Sequence, residues 1–214
     1  MRYLLSVLLL AFCLQAQVTV TLTGPASVTA GGTANLTVSI AGTTQAGVNQ
    51  NIVGVQWSMT IPATATIGTC TVPTNLSAEN YQAFCGPAAS LAAEIIASGT
   101  FTPLADGAVA NVPLTFATTQ TPGTLAIPLT GLYAVNSSGT NVNGVVSGPV
   151  YSLKILSICD LNGDGIVNVA DVMLAINGLI GTTTCPLSAV AGGCTLANVV
   201  NEIIAVTGGT CKIP

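Results

Sequence analysis

Histidine is absent from this chain of 214 residues, and charged side chains make up only 5% of it. Without histidine there is no imidazole base, no Ser-His-Asp or Cys-His pair, and no histidine-ligated metal. Lysine and arginine together number three. That is too few to neutralise a run of phosphates, so a nucleic-acid interface is excluded. Aromatic residues are 4% of the chain, with Trp57 the single tryptophan. Long apolar runs are lacking as well. Beyond the first 16 residues each is broken within a few positions by Thr, Asn, Gly or Pro, and a membrane-spanning helix needs roughly 20 in a row. Acidic residues number seven. A carboxylate pair of the kind that cleaves glycosides would have to come from Glu79, Glu94 and Asp106, because the others cluster near the C-terminus. One suggestive acid in an apolar stretch, Glu94, is not a site, and the chain reads as a non-enzyme.

What is present begins at the N-terminus. Arg2, the apolar run from Tyr3 to Cys13 and then Leu14-Gln15-Ala16 form the three regions of an export signal, with cleavage expected after Ala16. The competing reading is lipidation at Cys13, but Phe12 stands where such signals carry a small residue. Removing residues 1–16 leaves about 198, enough for one or two domains. It also leaves six cysteines, at 70, 85, 159, 185, 194 and 211. An even number in an exported chain argues for three disulfides and an extracellular location.

From residue 17 to about 157 the apolar residues alternate. The clearest runs are Val18, Val20, Leu22; Ala34, Leu36, Val38, Ile40; Val53, Val55, Trp57, Met59, Ile61; Ala108, Ala110, Val112, Leu114, Phe116; Leu125, Ile127, Leu129; and Tyr151, Leu153, Ile155. Turn signals such as Gly24-Pro25, Asp106-Gly107 and Pro122-Gly123 separate them. Short alternating strands so spaced predict an antiparallel β-sandwich in a mainly β protein, with Trp57 in its core. Pro113 and Pro128 inside strand patterns predict edges or bulges. The stretch from Ser77 to Ala97 is ambiguous, with Leu91 to Ile96 either a helical turn or a buried strand. The period changes after Cys159. Val172, Met173, Ile176, Leu179 and Ile180, then Leu196, Val199, Val200, Ile203 and Ile204, recur at helical spacing. Gly181 is a stop for the first helix and Thr195 a cap for the second. Residues 158–214 thus form a small α unit, of a size that needs disulfides or a metal to hold it.

Three of the seven acids fall in the twelve residues Asp160 to Asp171, at positions 1, 5 and 12. Oxygen-bearing side chains stand at 1, 3, 5, 9 and 12, and Gly165 at 6, the spacing by which a loop wraps a calcium ion. In so charge-poor a chain, such a cluster would repel itself without a cation.

Asp160, Asn162, Asp164, Gly165, Asn168 and Asp171, followed by Val172, Leu174 and Ile176, resemble the first loop-helix repeat of a dockerin of type I-like character. Dockerins are calcium-binding modules that dock onto cohesins in extracellular polysaccharide-degrading assemblies. The resemblance implies side-chain ligation by Asp160, Asn162, Asp164 and Asp171, a carbonyl from Ile166, and Asn168 directly or through water. The second repeat departs from the pattern: Leu187, Ala189, Ala191, Thr195 and Asn198 stand at ligand positions, with Gly192 retained. Apolar side chains cannot replace an ion's hydration shell, so one calcium is expected, in the first repeat only. Val169 and Ala170 stand where type I recognition residues usually carry hydroxyls, which suits a hydrophobic contact. Within this frame, proximity suggests the pairs Cys70–Cys85, Cys159–Cys211 and Cys185–Cys194, out of 15 connectivities open to six cysteines.

The region 17–157 is similar, more loosely, to cohesins and to carbohydrate-binding sandwiches, through Gly54 to Met59, Gly107 to Phe116 and the closing strand through Ile155. The resemblances together imply a secreted, non-catalytic docking or assembly protein. Its partner would be a cohesin-like or other extracellular domain, or a second copy bound head to tail. The alternative expectation is polysaccharide binding by the sandwich, with calcium purely structural.

Overall fold

The computed structural model describes residues 17–45, 48–86, 91–97, 102–186 and 193–211, with the side chains at 45 and 91–97 left aside. The expected leader, with Cys13 and Ala16, and the second-loop positions Leu187, Ala189, Ala191 and Gly192 lie outside the described residues. In chain order the strands are β1 (Val18–Thr23), β2 (Ser27–Thr29), β3 (Thr33–Ala41), β4 (Thr44–Gln45), β5 (Val48–Asn49), β6 (Ile52–Met59) and β7 (Ala65–Ile67). After the short helix α1 (Thr74–Ala78) come β8 (Tyr81–Cys85), β9 (Leu91–Ala97), β10 (Gly107–Phe116), β11 (Gly123–Ile127), β12 (Leu129–Asn136), β13 (Val145–Ser147) and β14 (Tyr151–Leu156). Two helices close the chain, α2 (Val169–Leu179) and α3 (Leu196–Val206).

The strands form the expected mainly β sandwich. One sheet has the order β13-β1-β3-β10-β7 and the other β12-β6-β9-β8, with a three-stranded β11-β14-β2 sheet and a β4-β5 ribbon beside them. Alternation decides the facing, because successive side chains in a strand point to opposite sides. Val18, Val20 and Leu22 of β1, Leu36, Val38 and Ile40 of β3, and Val112, Leu114 and Phe116 of β10 are buried. They share one core with Ile52, Val55, Trp57 and Met59 of β6. Trp57 is fully buried.

Several expectations need correcting. The sandwich is not wholly antiparallel: β1–β13 and β14–β2 are parallel pairs, each joining strands far apart in sequence. Pro113 lies in an interior strand, opposite Asn35 of β3. It is tolerated because β7 pairs only with Leu114 to Phe116. Beyond that, Gly68 N donates to the Pro113 carbonyl at 2.9 Å, and no donor is asked of Pro113 itself. The bulge in β10 falls earlier, between Ala108 and Ala110. Pro128 separates β11 from β12, so the single run expected across it is two strands in different sheets. The ambiguous stretch resolves into α1, β8 and β9, and Leu91 to Ile96 is strand.

The sandwich passes into the α unit without a linker. Only Ser157 to Cys159 separate the end of β14 from Asp160, and this turn is tied by Asp160 N to Ser157 O at 3.0 Å. Disulfides join Cys70 to Cys85, Cys159 to Cys211 and Cys185 to Cys194. The last two, with Ile158, Leu161, Val167 and Ala205, supply the small core of the α unit.

The helices hold the largest surprise. An apolar stripe on a helix ordinarily faces a core, and helix α3 does the reverse. Its buried residues are Asn198, Val199 and Glu202, while Leu196, Val200, Ile203 and Ile204 are exposed. On α2 the buried set is Asp171, Val172 and Ala175, with Val169, Met173, Leu179 and Ile180 exposed. The stripes exist as predicted, but the unit's own core is too small to cover them.

Candidate metal centre and docking face

Each acid of the Asp160–Asp171 loop holds backbone amides. Asp171, fully buried, accepts from Leu161 N at 2.8 Å and Asn162 N at 3.1 Å on Oδ1, and from Asn168 N at 2.8 Å on Oδ2. Asn168 is the N-cap of α2; its Oδ1 accepts from Ala170 N at 2.7 Å, and with Asp171 it forms a reciprocal capping box. Asn162 Oδ1 and Asp164 Oδ1 each accept the amide two residues on, at 2.9 and 2.8 Å. Asn162 Nδ2 donates to Asp164 Oδ2 at 2.9 Å, and Asn168 Nδ2 reaches the Ile166 carbonyl at 3.4 Å. The six predicted ligand residues are therefore gathered in one loop, with Asp160 and Asp171 buried and Asn162, Asp164 and Ile166 toward solvent.

Asp160 is the member that fits a cation. Its Oδ2 accepts from Gly165 N at 2.8 Å. Its Oδ1 is buried and has no hydrogen-bond partner among the described residues. A buried anionic oxygen left bare costs roughly 1–3 kcal/mol or more. A hard cation bound by oxygen donors would satisfy it. Among the described residues no group of three or more His, Cys, Asp or Glu side chains is gathered so as to hold a metal. An ion here would depend on the Asn amide and Ile166 carbonyl oxygens as well. Gly165 is required where it stands because its φ is +93°; the Lys154 ammonium that a Cβ would meet is the movable end of a flexible side chain from β14.

Sequence reasoning missed Glu202. It lies on the buried face of α3, which packs on α2. It is 0% exposed, and neither carboxyl oxygen finds a partner among the described residues. Burial, and after it the Asp171 carboxylate, push its pKa up to about 8. The one available signal was an acid set between Val199 and Ile203 in an apolar run. The loop and the two helices also leave large apolar side chains exposed, among them Ile166 at 65%, Val169 at 66% and Leu196 at 68%.

The acids considered for catalysis have structural roles or lie apart. Asp106 Oδ1 accepts from Thr43 N at 2.8 Å and Thr43 Oγ1 at 2.6 Å. Those bonds, the side-chain one foremost, hold its carboxyl below the usual range. Glu79 caps the C-terminus of α1. Glu94 pairs through its backbone with Gln56 and Phe84; its side chain lies outside the described residues. Among the described residues no helix is long and apolar enough to cross a membrane.

No protein-family model and no curated protein sequence matches the chain. Solved structures do. The fold is similar to a chain of the complex of CaDoc0917 with CaCohA2, the latter from Clostridium acetobutylicum: TM-score 0.52, 12% identity, 66% of this chain and 99% of that one. It is similar to a chain of a type I cohesin–dockerin complex from Clostridium thermocellum: TM-score 0.52, 10% identity, 65% and 99%. It is also similar to the cohesin module of a family 33 glycoside hydrolase from Clostridium perfringens: TM-score 0.51, 12% identity, 65% and 97%. At such identities the likeness is one of fold. The β-sandwich is cohesin-like.

Proposed function

We propose that this chain is a secreted, non-catalytic docking or assembly protein, in which a dockerin-like unit binding one calcium ion (158–214) follows a cohesin-like sandwich (17–157). The observation that carries the reading is the outward apolar face of α2 and α3 beside a loop with an orphaned buried carboxylate oxygen. Asp160, Asn162, Asp164, Asn168 and Asp171, with the Ile166 carbonyl, would hold the ion, whose charge would offset the three loop carboxylates. The loop would set the start of α2, and the helices would present Val169, Met173, Val200 and Ile203 to a partner. That partner is an extracellular domain of cohesin kind, and a second copy's sandwich qualifies. Head-to-tail contacts of that sort generate rings or open chains. The setting is extracellular polysaccharide degradation or cell-surface assembly.

Two measurements test this on the mature chain. Calorimetric titration with calcium is expected to give a stoichiometry near one, abolished or strongly weakened by Asp164→Ala; no binding refutes the calcium reading. Size-exclusion chromatography with calcium and with chelator is expected to show self-association only with calcium, and Met173→Asp with Ile203→Asp to remove it. A monomer in both conditions sinks the self-docking form.

A second reading is favoured by Phe84 and Tyr133, 50% and 40% exposed on strands of one sheet. Exposed rings are what sugars stack on, and retention on insoluble polysaccharide, lost in Phe84→Ala but kept in the helix-face double variant, would support it.

A further inference from the structure

Glu202 is a carboxylate in a place that should not hold one. It is fully buried, on the face of α3 that packs against α2, and both oxygens are without partners among the described residues. Burial away from positive charge favours its neutral form, and a cation brought close would favour the charged one. Removing a buried carboxylate from water costs several kcal/mol unless something of opposite charge compensates. The only basic side chain beside this unit among the described residues is Lys154, and it rests on Gly165, at the exposed side of the loop. Glu202 and Asp171 are the fully buried acids of the two packed helices, and the charge of Asp171 acts on Glu202. A third buried acid, Asp160, has one oxygen equally bare. The unmet demands of Glu202 and Asp160 are for positive charge, and Glu202 lies on the side of α3 that faces α2 rather than on its apolar side.

We propose that Glu202, supplied by the repeat that has lost its own loop ligands, is part of the calcium centre of the first repeat, as a buried counter-charge that strengthens binding of the ion. The proposal rests on the calcium reading above. Because no three acids among the described residues are gathered to hold a metal among themselves, Glu202 acts at one remove, through the field in the low-dielectric space between the helices and through Asp171, rather than as one of the loop ligands. A unit charge at such range from a divalent ion still matters in a protein interior. The degenerate repeat then has a use. Its helix returns one negative charge to the surviving site, and Asn198, at the lost ligand position, is spent instead on the Gly193 carbonyl, to which its Nδ2 donates at 2.6 Å.

The test is Glu202→Gln, nearly isosteric and uncharged, in the mature disulfide-bonded chain, with Asp106→Asn as a charge-matched control far along the sequence. Calcium affinity by calorimetry is expected to fall at least about ten-fold in Glu202→Gln and to stay within two-fold in the control. Thermal unfolding supplies the second readout. In chelator the Gln variant is expected to melt at or above the wild-type temperature, because the cost of burying or neutralising a carboxylate is gone; in calcium it is expected to gain less from the ion than wild type does. A merely structural Glu202 would lower the melting temperature equally in both conditions. Wild-type binding with unchanged affinity in Glu202→Gln overturns this proposal alone; failure of the wild type to bind calcium overturns the calcium reading with it.

Discussion

Asp171→Asn separates what the loop's last acid does for the backbone from what it does for an ion. In chelator the carboxylate still accepts three amides, from Leu161, Asn162 and Asn168. An asparagine placed with its oxygen at Oδ1 keeps the first two but turns an NH2 toward Asn168 N–H. One charge-assisted bond is lost, worth about 1.5–3 kcal/mol, and two others become neutral, each weaker by about half. The expected cost is about 3–6 kcal/mol without any calcium. Asp164→Asn is the contrast: Asp164 is exposed and accepts one backbone amide, so the same change costs about 1 kcal/mol or less. Hydrogen exchange measured in chelator reads this directly. Protection is expected to collapse at Asn168 and to fall at Leu161 and Asn162 in Asp171→Asn, and to persist at all three in Asp164→Asn, while both variants lose calcium affinity. Equal exchange in the two variants would refute the assignment of Asp171 as the loop's internal scaffold.

Replacing both Cys159 and Cys211 by Ser opens a covalent loop spanning 52 residues and is expected to cost about 4 kcal/mol, against about 3 kcal/mol for the 15-residue separation of Cys70 and Cys85; denaturant midpoints check the order. Gly165→Ala is expected to cost about 1–2 kcal/mol, and adding Lys154→Ala should not restore it, since the penalty lies in a φ of +93° rather than in a flexible ammonium. Asp106→Ala is expected to cost about 1 kcal/mol at neutral pH through the lost Thr43 bonds. Because its carboxyl is held below the usual range, that contribution is complete above the ordinary carboxylate pKa. It is lost as pH falls through the folded value, so wild type and variant should converge as the pH is taken below the ordinary carboxylate range.

Strands with one covered face were plain in the sequence. Val18 to Leu22 and Ala34 to Ile40 alternate without a break, and both lie buried-out-buried in β1 and β3. Strand β12 was hidden because its register slips between Thr130 and Tyr133, which breaks the period a reader counts. The parallel pairings were hidden for another reason: strands as short as β2 and β13 carry no pattern, and their partners are fixed by long connections. The loop was legible as a tight turn because Asp, Asn and Gly recur at fixed positions whose side chains accept its own amides. Helix facing was not. A period shows that two faces differ, and only the volume available inside decides which is covered. With a core built of little more than Ile158 and two disulfides, α3 turned its acid inward and its isoleucines out.

Two of the three disulfides lie in the α unit, and this carries a consequence about time. Thiols stay reduced where glutathione is in command, and a unit with so small a core does not hold its shape there. Before oxidation, the segment that carries Leu196, Ile203 and Ile204 is expected to be a loose, mildly apolar tail with no ordered face. Closing Cys159 on Cys211 would pin the helices back beside the loop. If the chain is exported and docks as proposed, its docking face would thus be assembled last, in the compartment where a partner would be waiting, and a newly made chain would have nothing yet with which to clasp its neighbours.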